Sequence, residues 1–256
     1  MMGWRGVLVS VRDEREAEAA LAGDAAVIDV KDPARGSLGA AEPAAIGAVA
    51  AAVARRVPWT LAAGELVAGV AVLQEWIEAV CRLVPGDTAG PAAVKVGLAG
   101  MADRPWRDEL RRFHALLPAG CLHVAVAYAD FDVVQAPAPP DVIAAAGQIG
   151  CRTLLIDTGD KGGPGTLGLR SPGEIRGWIA AARRQGLGVA LAGRIAIPEI
   201  RPAVALGPDL VALRSAVCSN ASSGDVRLGS VSSALVASAV AEFTAALDSA
   251  QEHRPR

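Results

Sequence analysis

Lysine occurs at only three positions, Lys31, Lys95 and Lys161; the other 22 of the 25 basic residues are arginine. An amine can lose its proton and attack a carbonyl, whereas a guanidinium cannot, so lysines retained in an arginine-biased chain suggest chemistry rather than solvation. Two of the three keep an aspartate close in sequence: Asp29 stands two residues before Lys31, and Asp157 four before Lys161. A desolvated amine crowded by other cations favours its neutral form, and a nearby carboxylate can shuttle protons. That combination is the profile of a Schiff-base lysine with acid/base partners, and spacing alone leaves open which lysine forms the imine.

These groups need a scaffold that brings them together. Short apolar, β-branched runs at 6–11, 26–31, 59–64, 92–98, 123–129, 153–158, 188–192 and 210–217 read as strands. Each is followed by a helical stretch, at 14–22, 43–56, 68–84, 105–117, 140–149, 171–185, 198–206 and 230–247. Strands apolar on both faces and separated by helices belong to a parallel sheet, and eight such units in 256 residues predict a (β/α)8 TIM-type barrel. An open doubly wound sheet is the alternative, but no G-x-G-x-x-G follows the first strand and no Walker motif is present. The reading gives one domain over 1–248 and a solvated tail over 249–256.

In such a barrel the active site lies at the C-terminal ends of the strands, and alternate strands contribute side chains at one depth. Strand two would then supply Asp29 and Lys31, strand four Lys95, strand six Asp157 with Lys161, and strand eight Arg214. Gly193 after strand seven and the Gly/Ser stretch 219–229, with Ser215 before it and Gly224 within it, lie where barrels commonly hold a phosphate. Asp130, closing strand five, is a candidate for substrate contact; Glu65, Arg194 and Cys218 could line the site without an assigned role. The Gly-rich 162–168 stretch could close over substrate. His123 reads as structural, His114 as a surface or packing residue, and the five scattered tryptophans as packing.

Composition excludes other classes. A net charge of −2 without a long basic run argues against nucleic acid. No apolar stretch reaches the roughly 18 residues of a membrane span, which predicts a cytosolic protein. Cys81, Cys121, Cys151 and Cys218 form no C-x-x-C pair and the histidines no ligand-spaced cluster, so neither a structural disulfide nor a zinc site is expected.

The ordered blocks Leu8-Val9-Ser10, Ile28-Asp29-Val30-Lys31-Asp32-Pro33, Gly36-Ser37-Leu38-Gly39-Ala40, Val94-Lys95-Val96-Gly97-Leu98, Tyr128-Ala129-Asp130, Asp157-Thr158 with Lys161, Leu191-Ala192-Gly193, and Arg214 with Cys218 resemble the (5-formylfuran-3-yl)methyl phosphate synthase family. The resemblance implies a barrel enzyme that condenses two molecules of glyceraldehyde 3-phosphate, with loss of phosphate and water, to 4-(hydroxymethyl)-2-furancarboxaldehyde phosphate. It implies Lys31 as the Schiff-base lysine, with Asp29, Lys95, Asp157 and Lys161 at the other active-site positions, and no metal or organic cofactor. The expected partner is a small triose phosphate; the oligomeric state, homo-oligomer included, stays open. Ser215 and Ser219 depart from the archaeal pattern in the strand-eight loop, which bears on phosphate binding rather than on the imine. The alanine- and arginine-rich composition resembles that of a high-GC bacterium, and for such a source the family resemblance implies a methylofuran-type carrier in one-carbon metabolism. Two rivals remain: a Schiff-base aldolase that stops at the aldol product, and a phosphosugar-binding barrel without turnover.

Overall fold

A computed structural model describes residues 3–84, 90–219 and 225–252. Eight parallel strands close into a barrel in sequence order: β1 Gly6–Val11, β2 Val27–Val30, β3 Trp59–Glu65, β4 Ala93–Gly97, β5 Leu122–Tyr128, β6 Thr153–Asp157, β7 Gly188–Leu191 and β8 Leu210–Leu213. β8 pairs back onto β1, with Gly6 opposite Leu210 and Val9 opposite Leu213. Pairing of the first strand with the last leaves no open sheet edge, which rules out the doubly wound alternative.

Local signals start and stop the surrounding helices. Helix α1, Glu14–Ala22, begins where the Asp13 carboxylate accepts the Glu16 backbone N–H at 2.9 Å. Proline opens both α2, Pro43–Val53, and α5, Pro139–Ile149, where a missing N–H loses no helical bond. Helices α3, Val70–Leu83, and α4, Trp106–His114, cover the next strands. A four-residue turn, α6 Thr166–Leu169, precedes α7, Pro172–Arg184, which starts with a full Ser171/Glu174 capping box. Helices α8, Ile200–Val204, and α9, Ser233–Glu252, complete the ring. Helix α9 runs to Glu252, four residues into the 249–256 stretch that the sequence reads as a tail. A short hairpin, β9 Cys218–Ser219 with β10 Ser230–Val231, lies between β8 and α9. Among the described residues, no helix is long and apolar enough to cross a membrane.

Two cores follow from strands buried on both faces. The outer one, between sheet and helices, is built from branched residues such as Val9, Ile28, Ile156 and Leu191 against Ile46, Val49, Ile175 and Val236. The inner one is made of smaller groups, among them Leu8, Ala62, Ala93, Val124, Leu155, Ala190 and Leu210. Alanine-rich interior positions leave space at the top of the barrel that bulkier side chains would fill.

Candidate active site

The space is a cavity of about 900 Å³, its open mouth included, lined by Asp29, Lys31, Lys95, Asp157 and Lys161 together with Ser10, Thr60 and Ser37. Five of the charged residues expected from sequence therefore meet in one place. Strand register sets the first group. Asp29 has Ser10 of β1 and Thr60 of β3 directly opposite it on either side. The Ser10 hydroxyl donates to Asp29 Oδ2 at 3.0 Å and Thr60 to Oδ1 at 2.7 Å, while Lys95 forms a buried ion pair with the same Oδ1. Proximity in sequence suggests Asp29 as the partner of Lys31; its ion-pair partner is instead Lys95 on β4, two strands along the barrel wall.

Asp157 anchors the second group. Lys161 Nζ donates to Asp157 Oδ1 at 2.8 Å, and the Thr158 N–H reaches the same oxygen at 2.7 Å. Burial pulls the Asp157 carboxyl upward, but Lys161 and Lys31 outweigh it and hold the group below its ordinary range.

Lys31 is treated differently. Lys95 and Lys161 each hold a carboxylate within ion-pair distance, whereas the Lys31 amine donates to the Ser37 carbonyl at 3.2 Å and has no such carboxylate among the described residues. Burial dominates its environment, opposed by Asp157 and Asp29 and reinforced by Lys161 and Lys95, and its pKa falls to about 8. The result is a buried amine with a sizeable neutral fraction near neutrality. The loop that carries it is stitched shut: the Asp32 N–H donates to the Gly39 carbonyl at 2.8 Å, and the Gly64 N–H to Leu38 at 2.8 Å. Gly39 is required there, because a Cβ would lie 2.1 Å from the Asp32 carbonyl oxygen.

The phosphate-side residues divide. Gly193 and Ser215 line the cavity, as do Arg194 and Arg227. Gly193 sits at φ +94°, and a side chain there would strike the Thr166 hydroxyl. Arg214 also reaches the lining, but the structure gives it other partners than a phosphate. Strand β8 ends at Leu213, and the Arg214 donors all bind protein: Nε to the Arg227 carbonyl, Nη1 to Ser10 O and Glu16, Nη2 to Glu16 and Gly229 O. A guanidinium has five N–H groups, and these five bonds occupy them. Asp130 is likewise redirected. It does not line the cavity; its two oxygens accept the Gly159 and Asp160 N–H groups at 2.8 and 2.7 Å and pin the loop after β6. Gly224 lies outside the described residues. Glu65 points to the Tyr128 hydroxyl rather than into the cavity, and Cys218 is buried with its thiol against the Arg214 carbonyl.

Sequence reasoning missed several residues. Ser10 and Thr60 are polar residues inside apolar strands, the same signal that exposed Asp29. Ser37 and Tyr128, the single tyrosine of the chain, lay within quoted blocks but received no role. Glu16 gave no signal, being one acidic residue among several on α1. Two histidines pack rather than face solvent: the rings of His114 and His123 stack at 4.0 Å.

The family model described as 4-HFC-P synthase matches residues 7–240. A (5-formylfuran-3-yl)methyl phosphate synthase of Archaeoglobus fulgidus is 32% identical over 219 residues, covering 83% of this chain and 90% of the relative. Its namesake in Methanocaldococcus jannaschii is 32% identical over 234 residues, covering 90% and 96%. Among solved structures, thiamine phosphate pyrophosphorylase from Pyrococcus furiosus superposes with a TM-score of 0.60 at 15% identity, covering 96% of this chain and 98% of that one. At that identity the likeness concerns the barrel alone.

Proposed function

Because the chain belongs to the 4-HFC-P synthase family, and so to a family of enzymes, we propose that it joins two glyceraldehyde 3-phosphate molecules into 4-(hydroxymethyl)-2-furancarboxaldehyde phosphate through an imine on Lys31. One observation carries the choice of lysine: among the described residues, Lys31 is the buried cavity amine without an ion-pair carboxylate, and its pKa lies near 8. At pH 7 about a tenth of such an amine is neutral, roughly 300-fold more than for an ordinary lysine.

In this reading the Lys31 amine forms a bond to the aldehyde carbon, and the carbonyl oxygen takes one proton from the amine and one from an acid and leaves as water, giving the protonated imine. The cationic imine then acidifies the neighbouring C–H, and a carboxylate accepts that proton to give the enamine that attacks the second aldehyde. Asp157, kept ionised by Lys161 and facing the same cavity, is the base for this step. Asp29 with Lys95 provides a second carboxylate–ammonium pair, and Lys95 and Lys161 place positive charge where alkoxide and phosphate charge builds up. Phosphate ester groups lie toward Gly193, Ser215 and Arg194. The product supplies a furan for a one-carbon carrier of the methanofuran or methylofuran type.

The test is incubation with glyceraldehyde 3-phosphate, with and without borohydride, followed by mass spectrometry of peptides and products. The expected result is a reduced adduct on Lys31 when borohydride is present, and a furan aldehyde phosphate with released inorganic phosphate when it is absent. An adduct without the furan would make the protein a simple aldolase. Neither adduct nor furan would leave a binding protein.

A further inference from the structure

We propose that Ser37, Tyr128 and Glu65 form a proton relay that leaves the substrate cavity at Ser37 and connects Asp157 with the half-buried Glu65 carboxyl at the end of β3. The proposal rests on the reading of Asp157 as an acid/base group. Such a group must be reset each turnover, because every proton it gives or takes during condensation and elimination has to be exchanged with solvent. A cavity filled by two phosphorylated substrates is a poor path for that exchange.

The route is laid out in the structure. The Ser37 hydroxyl is 2.7 Å from the Thr158 carbonyl and 3.4 Å from Asp157 Oδ2, and it acts on the Tyr128 phenol as a donor would, lowering a pKa that burial raises. A serine hydroxyl has one proton and rotates freely, so it can donate to only one of these acceptors at a time. Tyr128, fully buried at the end of β5 and opposite Asp157 in register, donates to Glu65 Oε1 at 2.6 Å. Glu65 Oε2 accepts the Ala99 N–H at 3.0 Å. Glu65 itself is half-buried, and neither it nor Tyr128 lines the cavity. The placement is built in: a Cβ on Gly97 would lie 2.0 Å from Glu65 Oε2, so only glycine at 97 lets the carboxylate reach the tyrosine. Burial raises the Glu65 carboxyl above its usual range, against the hydrogen bonds from Tyr128 and Ala99, which eases proton uptake from solvent.

The step balances. A proton taken up by Glu65 passes to the Tyr128 oxygen, the Tyr128 proton passes to Ser37 Oγ, and the Ser37 proton passes to Asp157. One proton enters, one arrives, and each hydroxyl is restored. The reverse sequence removes a proton from Asp157. Ser37, Tyr128 and Glu65 act through Asp157 and are positioning residues, not catalytic ones.

Ser37→Ala separates this role from that of Lys31, because the Ser37 carbonyl that holds the amine belongs to the backbone and remains. The experiment compares kcat, its solvent deuterium isotope effect and borohydride trapping in wild type, Ser37→Ala, Ser37→Thr, Tyr128→Phe and Glu65→Gln, with glyceraldehyde 3-phosphate as substrate. The expected result is a fall in kcat of about 10-fold or more in Ser37→Ala and Tyr128→Phe, within the range that proton transfer contributes. The isotope effect rises with it as proton supply becomes limiting, trapping at Lys31 proceeds at the wild-type rate, and Ser37→Thr restores turnover. Glu65→Gln, whose amide still accepts from Tyr128 but carries no transferable carboxyl proton, behaves like Tyr128→Phe. Unchanged kcat in Ser37→Ala overturns the relay, as does a fall accompanied by slower trapping and an unchanged isotope effect. Product formation by wild type without trapping would instead overturn the imine on Lys31, with the relay still decided by kcat and isotope effect. A wild type that does not turn over this substrate overturns both.

Discussion

Replacing Lys31 by methionine should make the protein more stable, and the gain should depend on pH in a defined way. The lysine is 9% exposed, so solvent screening does not dilute the effect of its environment. Its pKa falls from 10.5 to about 8 on folding, with burial as the main cause. Between those values the unfolded chain binds more protons than the folded one, so wild-type stability rises as pH rises through this window. Below pH 8 the full penalty applies, on the order of 3 kcal/mol from the difference of roughly 2.5 pH units; at pH 10 about 1 kcal/mol is left. Methionine is similar in length and carries no charge to desolvate. Urea unfolding of wild type and Lys31→Met at pH 7 and pH 10 should therefore show a gain near 3 kcal/mol at the lower pH, shrinking to about 1 at the higher. A variant no more stable than wild type at pH 7, or a gain equal at the two pH values, would refute the claim that the amine is held in a desolvating site.

Lys31→Arg retains a positive charge but cannot form an imine, so turnover and borohydride trapping should both vanish while circular dichroism still reports a folded barrel. Normal turnover by this variant would remove Lys31 as the nucleophile. His114 is buried and stacks on His123; burial, with a contribution from His123 and against the Ile149 backbone, holds its pKa down at about 3. The unfolded chain therefore takes up a proton near pH 6.5 that the folded state refuses, and stability falls as pH drops toward 3. His114→Leu should reduce that loss by about 2 kcal/mol between pH 8 and pH 5, read from thermal melts at the two pH values. Glu16→Gln leaves the buried Arg214 guanidinium without its carboxylate and should destabilise the protein by about 3 kcal/mol in urea unfolding; a loss under 1 kcal/mol would mean that water compensates the arginine.

The barrel and its five charged residues were legible in sequence because both follow short-range rules. Two-sided apolar strands announce a parallel sheet, and Asp29, Lys31, Lys95 and Asp157 stand out as charges within or just beyond such strands. What sequence could not supply was pairing. Asp29 and Lys31 are two residues apart, yet the ion pair goes to Lys95, because strand register around a closed barrel and not chain proximity decides which heads meet. Arg214 shows the same limit from the other side. A cation after strand eight reads as a phosphate ligand, and only the fold reveals that Glu16 and three backbone carbonyls occupy it before any substrate arrives. Asp130 looked like a substrate contact because it closes a strand, but two exposed N–H groups of the next loop were nearer claimants.

The Arg214–Glu16 contact joins residues 198 positions apart at the seam where β8 closes onto β1. Glu16 leaves the ribosome 198 residues before Arg214. Until then Glu16 has Arg12 as its local counter-ion, and the first strand has no neighbour on its β8 side. Closure of this barrel is therefore a late event that depends on the last strand–helix unit, a demand that non-local contacts place on folding rate. Chains released before residue 214 leave Glu16 with Arg12 alone, so the seam distinguishes chains that carry Arg214 from interrupted ones.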